Sequence, residues 1–119
     1  MSRSLRYLSI RTCDTPVGVR VHLAGVADSA VCDQLDGALA EVLHRRPGLV
    51  DIDATDLRLL DCAALSVLIR MQRRAREYGA DLCLSNTHGG VARVLRILDL
   101  TAALTEPDWW PSSLAATGD

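Results

Sequence analysis

The chain has 119 residues, of which 49% are hydrophobic and 24% are charged, and its formal net charge is −2. This composition predicts one folded domain with a single core, and it excludes a disordered chain and non-specific binding to nucleic acid. Because no apolar run approaches the roughly 20 residues that cross a bilayer, we expect no membrane insertion and a cytoplasmic location.

The first part of the chain predicts a β-hairpin followed by a helix. Residues 5–12 alternate weakly, residues 14–18 form a turn cluster, and residues 17–23 have the period-two alternation of a half-buried strand. Asp28 or Ser29 can cap the helix that follows. Its apolar residues recur at helical spacing, at Val31, Leu35, Leu39, Val42 and Leu43.

The centre of the chain predicts a buried strand that leads through a short loop into an amphipathic helix. Residues 49–54 form a nearly continuous apolar run, as in a central strand covered on both faces. Asp61 ends the loop and stands where a helix N-cap belongs, and Gly79 stands at the C-cap. The helix between them carries its apolar residues at Leu65, Leu68, Ile69 and Met71.

The last part of the chain predicts one more strand and one more helix. The strand covers residues 80–85, and Asn86 or Thr87 can cap the helix. The apolar residues of this helix are Val91, Val94, Leu95 and Leu98, and a short strand or turn is expected at residues 102–104. The resulting order, β-β-α-β-α-β-α, predicts an α/β domain.

Between residues 49 and 104 the chain resembles a STAS domain, the fold of bacterial anti-sigma factor antagonists. The resemblance rests on the strand LVDIDATDL, the turn at Asp61, the helix start DCAALSVL and the segment VARVLRILDL. It implies a single α/β domain with a central mixed β-sheet of about four to five strands and helices packed against it. We expect this domain to cover residues 1–106, and residues 107–119 to form a mobile tail.

The resemblance also implies a role for the start of the helix after Asp61. There the family typically reads Asp-Ser-Ser-Gly-Leu, and its second Ser accepts a phosphate. This chain has the same Asp and Leu, at Asp61 and Leu65, whereas the three positions between them are Cys62, Ala63 and Ala64. Because Ala63 has no hydroxyl group, we expect no phosphorylation there. Ser66 is a weak candidate for a substitute site, since an ordinary helical serine is the favoured interpretation.

The function that the resemblance implies is that of a non-catalytic interaction module. Such a module binds an anti-sigma factor with a kinase-like ATPase fold, or another regulatory protein, and so frees a sigma factor. The expected contact residues are Asp56, Asp61, Cys62, Ala63, Ala64 and Leu65. Two alternatives stay open: a subunit of a lipid or anion transport complex with the same fold, and a thiol-based redox sensor or enzyme that uses Cys62.

No motif in the sequence predicts an enzyme, a cofactor or a metal site. A phosphate-binding GxxxxGK[ST] loop, a GxGxxG segment and a nucleophile elbow are all absent. Four carboxylates fall within eleven residues, at Asp51, Asp53, Asp56 and Asp61. The glycine-containing loop pattern of a calcium site does not accompany them. We therefore expect no bound metal and no cofactor.

The cysteines and tryptophans are read as structural residues. The four cysteines lie far apart without a CxxC pair. We expect Cys13, Cys32 and Cys83 to be reduced and buried. Cys62 is the possible exception. Trp109 and Trp110 are expected to pack back on the core rather than to anchor a partner.

Overall fold

The computed structural model describes residues 8–107 and 109–110. Its elements in chain order are β1 (Ser9–Thr15), β2 (Gly18–Ala27), a 3-10 turn (Ser29–Val31), α1 (Cys32–His44), β3 (Leu49–Leu60), α2 (Cys62–Glu77), β4 (Asp81–Ser85), α3 (Gly89–Ile97) and α4 (Thr101–Leu104). The predicted order of strands and helices is confirmed. The single-turn α4 lies where a short strand or turn was expected, and it is followed by an isolated bridge between Leu84 and Thr105.

The four strands form one mixed sheet in the order β1-β2-β3-β4. The hairpin strands β1 and β2 are antiparallel, whereas β3 runs parallel to both β2 and β4. Parallel neighbours need a crossover connection, and α1 and α2 supply the two that this sheet requires. The predicted α/β class with a mixed sheet of about four to five strands is confirmed.

The core lies between the sheet and the helices. The helices α1 and α2 pack against each other, α1 also contacts β2, and α2 also contacts β4. All five apolar residues predicted for the first helix are buried, although Val31 belongs to the 3-10 turn before α1. In α2, Leu65, Leu68 and Met71 are buried, and Ile69 is half-buried.

The strand β3 is longer than the sequence predicted, which corrects the loop expected before Asp61. The apolar run stops at residue 54, where polar residues begin, but β3 continues to Leu60. Pairing with β2 holds this continuation, as far as the pair between Ala27 and Leu60. The pairing between β3 and β4 ends at Asp53. Residues 54–60, here called the β3 extension, therefore run beyond β4.

The start of α3 is a second correction. The helix begins at Gly89, and its N-cap residue is His88, which makes no side-chain capping bond. Asn86 adopts a positive φ of 57° and donates its side-chain amide to Asp53 instead. The predicted cap by Asn86 or Thr87 was wrong because a partner on β3, remote in sequence, takes the Asn86 side chain.

Parts of the expected tail lie outside the described residues, at 108 and 111–119. Within the described residues, none of the helices combines the length and the apolar character that a membrane span needs.

Candidate functional site

The side chain of Asp61 binds the starts of two helical segments. Its Oδ1 accepts a hydrogen bond from the backbone N–H of Ala64 at 2.9 Å, which is the predicted N-cap of α2. Its Oδ2 accepts a second bond from the backbone N–H of Ser29 at 3.0 Å, at the turn that leads into α1. The backbone N–H of Asp61 donates to the carbonyl of Ala27 at 3.0 Å. One carboxylate therefore joins the starts of α1 and α2, at the end of the sheet where β2 and β3 finish.

The first turn of α2 exposes some of the expected contact residues and buries others. Cys62 is exposed and Ala63 is half-buried. Ala64 and Leu65 lie in the core with 0% and 3% exposure. Their side chains pack in the core, so the surface at the helix start is formed by Cys62, Ala63 and Ser66. Ser66 is exposed, and its hydroxyl group donates to the carbonyl of Cys62 at 2.9 Å.

Asp56 lies apart from the helix start, on the β3 extension. It is exposed, and it is paired in register with Ala24 of β2. The structure thus places it on a strand at the same end of the sheet as Asp61, rather than in the loop that the sequence predicted.

A groove lies beside the start of α2, between the β3 extension and α3. Its volume is about 380 Å³, and its lining residues are Arg58, Leu59, Leu60, Asp61, Gly90, Arg93, Val94 and Ile97. The sequence did not predict this groove, because Val94 and Leu98 were grouped with Val91 and Leu95 as the apolar residues of one helix. Val94 is only half-buried and Leu98 is 44% exposed. The spacing of Val94 and Ile97, which lie three residues apart, is the signal that could have indicated a second apolar stripe on this helix.

The four aspartates between residues 51 and 61 lie in different environments. Asp53 accepts three hydrogen bonds on Oδ1, from the backbone N–H of Thr55 at 3.0 Å, the Thr55 hydroxyl at 2.6 Å and the Asn86 amide at 2.9 Å. Its Oδ2 lies 3.1 Å from Nδ1 of His22. Burial alone would raise the pKa of Asp53, but these hydrogen bonds and His22 together hold it below the ordinary value. Among the described residues, no three His, Cys, Asp or Glu side chains are grouped so that they could hold a metal.

A buried ion pair occupies the face of the sheet opposite to that of Val19 and Val21. Arg20 occupies a polar position in the period-two alternation of residues 17–23, yet its side chain and that of Asp51 are each 3% exposed, with 3.4 Å between Nε and Oδ2. Trp110 donates its indole N–H to Oδ1 of Asp51 at 3.3 Å. The strand register sets Arg20 beside Asp51. Neither this pairing nor the contact of Trp110 with Asp51 can be predicted from a local pattern.

The tryptophans and cysteines agree only in part with their expectations. Trp110 is buried and packs against Cys83, as expected, whereas Trp109 is 60% exposed. All four cysteines are free thiols. Cys62 is exposed as expected, but Cys13 is exposed too, so the expectation of a buried thiol was wrong there. Burial, and then the Asp81 carboxylate, raises the pKa of Cys83 to about 11.

Comparison with known proteins identifies the fold. A family model described as "Mlab, STAS domain" matches residues 10–106. The crystal structure of an anti-sigma factor antagonist from Mycobacterium paratuberculosis superposes with a TM-score of 0.78 at 16% identity, covering 95% of this chain and 96% of that one. The anti-sigma factor antagonist SpoIIAA in its unphosphorylated form gives a TM-score of 0.73 at 12% identity, over 93% and 98% of the two chains.

The Bacillus cell fate determinant SpoIIAA in its phosphorylated form gives a TM-score of 0.66 at 11% identity, over 95% of this chain and 100% of that one. A comparison with curated protein sequences gives no match. At these identities the superpositions establish a shared fold, and the family match covers most of the chain.

Proposed function

The chain belongs to the STAS domain family, and from that premise we propose that it is a non-catalytic interaction module that acts as an anti-sigma factor antagonist. It binds an anti-sigma factor with a kinase-like ATPase fold and thereby frees a sigma factor. The observation that carries the proposal is the match of the fold, over 95% and 93% of this chain, to two proteins described as anti-sigma factor antagonists.

The first turn of α2 forms the centre of the proposed contact. Cys62 and Ser66 are exposed there and Ala63 is half-buried between them. These side chains are small and uncharged, which suits the packed and desolvated centre of a protein interface. Asp61 holds this surface in place through its two backbone hydrogen bonds, so a partner meets a preorganised surface.

The proposed contact works without a phosphate switch at Ala63. A phosphoserine adds a charge of about −1.5 to −2 near neutral pH, and such a charge can repel a docked acidic partner. Ala63 has no group that accepts a phosphate. We propose that expression, or the state of the partner, controls binding instead.

The binding test uses the kinase-like anti-sigma factors encoded by the source organism, each purified and titrated against this protein by calorimetry. We expect one of them to bind, and we expect Ala63→Glu to weaken that binding at least about tenfold, because the new carboxylate is desolvated at the contact. Ala102→Glu in α4, at an exposed alanine, is the matched control and leaves the affinity unchanged. Absence of binding to every such factor, together with co-purification of a transporter subunit, would replace the proposal with the transport alternative.

A second measurement tests the absence of a phosphate switch. The protein is incubated with the bound kinase-like factor and ATP, and its intact mass is recorded. We expect no increase in mass. A phosphate mapped between Cys62 and Ser66 would contradict the proposal, and Ser66 would then be the acceptor to examine.

A further inference from the structure

The groove between the β3 extension and α3 is an apolar surface that the described part of the chain leaves uncovered. Two large hydrophobic side chains in its lining are exposed, Leu59 at 47% and Ile97 at 71%. A scattered exposed hydrophobic residue needs no explanation, but a contiguous group of them marks an interaction surface.

One wall of the groove is a continuous face of α3. The lining residues Gly90, Arg93, Val94 and Ile97 recur at positions i, i+3, i+4 and i+7, which fall on one side of a helix. A second face of α3 buries Val91 and Leu95 in the core. This helix is therefore apolar on two sides: one packs inside the domain, and the other faces the groove. A helix presented in this way is suited to packing along a second helix.

The charges around the groove are predominantly positive. Arg58 and Arg93 line it and both are exposed, and α3 contains no acidic residue. Asp61 is the one acidic residue in the lining, and both of its carboxylate oxygens already accept backbone hydrogen bonds. The groove thus offers two guanidinium groups to a partner, which favours carboxylates on the side that docks.

From this geometry we infer that the groove binds an amphipathic helix of the partner protein that carries apolar side chains flanked by carboxylates. The inference rests on the proposed function in one respect, since the partner that contacts Ala63 is expected to supply the helix. Asp61 belongs both to the groove lining and to the helix start of α2. The two surfaces are therefore continuous, and one partner can cover both.

The first experiment uses synthetic peptides in place of the partner. One stapled helical peptide carries leucines on one face flanked by glutamates, and a second carries lysines in place of the glutamates. Each is titrated into the labelled protein and followed by NMR chemical shifts. We expect the acidic peptide to bind with shifts confined to residues 58–61 and α3, and the basic peptide to bind at least about tenfold more weakly.

The control variants lie on the same helix. Arg93 and Arg96 are both exposed arginines of α3, but only Arg93 lines the groove. We expect Arg93→Glu to weaken binding of the acidic peptide at least about tenfold, and Arg96→Glu by less than about threefold, because a charge outside the groove acts only through screened solvent. Ile97→Ser and Leu98→Ser form the matching apolar pair, and only Ile97→Ser weakens binding strongly.

Several outcomes would overturn the inference. Equal losses for Arg93→Glu and Arg96→Glu would reduce the effect to general attraction between charges. Failure of the acidic peptide to bind, with sedimentation of the protein on anionic vesicles lost in Arg93→Glu, would identify a membrane-binding surface instead.

The same variants separate this inference from the proposed function. If an anti-sigma factor binds and Ala63→Glu weakens that binding, but Arg93→Glu and Ile97→Ser do not, the groove inference is wrong and the proposed function stands. If the acidic peptide binds in the groove and no anti-sigma factor binds the protein, the groove inference stands and the proposed function is wrong.

Discussion

Replacing Asp61 by alanine should cost considerably more stability than the loss of an ordinary helix cap. The carboxylate accepts from the backbone N–H of Ala64 at 2.9 Å and from that of Ser29 at 3.0 Å. Loss of an N-cap costs about 1 kcal/mol, and a hydrogen bond to a charged group contributes about 1.5–3 kcal/mol. Because Ser29 is exposed, the lower end of that range applies, and we expect Asp61→Ala to lower the free energy of unfolding by about 2–3 kcal/mol.

Two further variants make the reasoning specific. Asp28 is the control, since its Oδ1 accepts one bond, from the backbone N–H of Ala30 at 3.0 Å; Asp28→Ala should cost about 1 kcal/mol or less. Asp61→Asn keeps one acceptor oxygen but sets an amide N–H₂ against the second donor, so its cost should fall between those of the two alanine variants.

Urea unfolding followed by far-UV circular dichroism measures the stability of all three variants. The slope of the unfolding free energy against urea concentration is compared between them, to establish that each variant exposes the same surface on unfolding. The reasoning would be refuted if Asp61→Ala cost no more than Asp28→Ala. That result would mean that water replaces the bond to Ser29 without loss, and that the starts of α1 and α2 are held independently.

Two further predictions follow from the shifted pKa values. Although burial opposes it, the pKa of Asp53 lies below its ordinary value of about 3.9. The contribution of Asp53 to stability is therefore present above pH ~3.9, and it is lost as the pH falls through the pKa of the folded state. Asn86→Gly tolerates the positive φ at this position and removes one bond, so its cost in urea unfolding should be larger at pH 6 than at about pH 3; an equal cost at both would contradict this. Since burial, followed by Asp81, raises the pKa of Cys83 to about 11, iodoacetamide at about pH 8 should modify Cys13 and Cys62 and leave Cys83 intact, as read by peptide mass mapping. Comparable labelling of Cys83 and Cys62 would show that Trp110 does not protect the thiol.

Local patterns predicted the elements of this domain well where one short segment carries the whole signal. The apolar spacing of the first predicted helix found five buried positions, four of them in α1 and the fifth, Val31, in the turn before it. Asp61 was found as a helix cap because an N-cap needs only its own first turn. The STAS resemblance of the central segment is confirmed by the family match over residues 10–106. The identity of Ala63 was likewise readable directly, because the absence of a hydroxyl group does not depend on the fold.

The predictions failed where the environment of a residue depends on a distant strand. The β3 extension contains polar residues and breaks the apolar run, yet pairing with β2 holds it extended to Leu60. Arg20 alternates like a surface residue, but the register with β3 sets it beside Asp51 in a buried pair. Strand register and burial are set by packing against cross-strand neighbours, so a local propensity does not determine them.

The sequence by itself thus determined the order of the elements, the family and the absence of a hydroxyl group at Ala63, since each depends on residue types at short spacing. Only the tertiary structure decided that Asp61 joins two helix starts, that Ala64 and Leu65 are buried, and that an apolar groove with two arginines lies beside the start of α2. These features bring together residues from the 3-10 turn, β3, α2 and α3. Their distances are set by how the sheet and helices pack, which no single segment of the chain encodes.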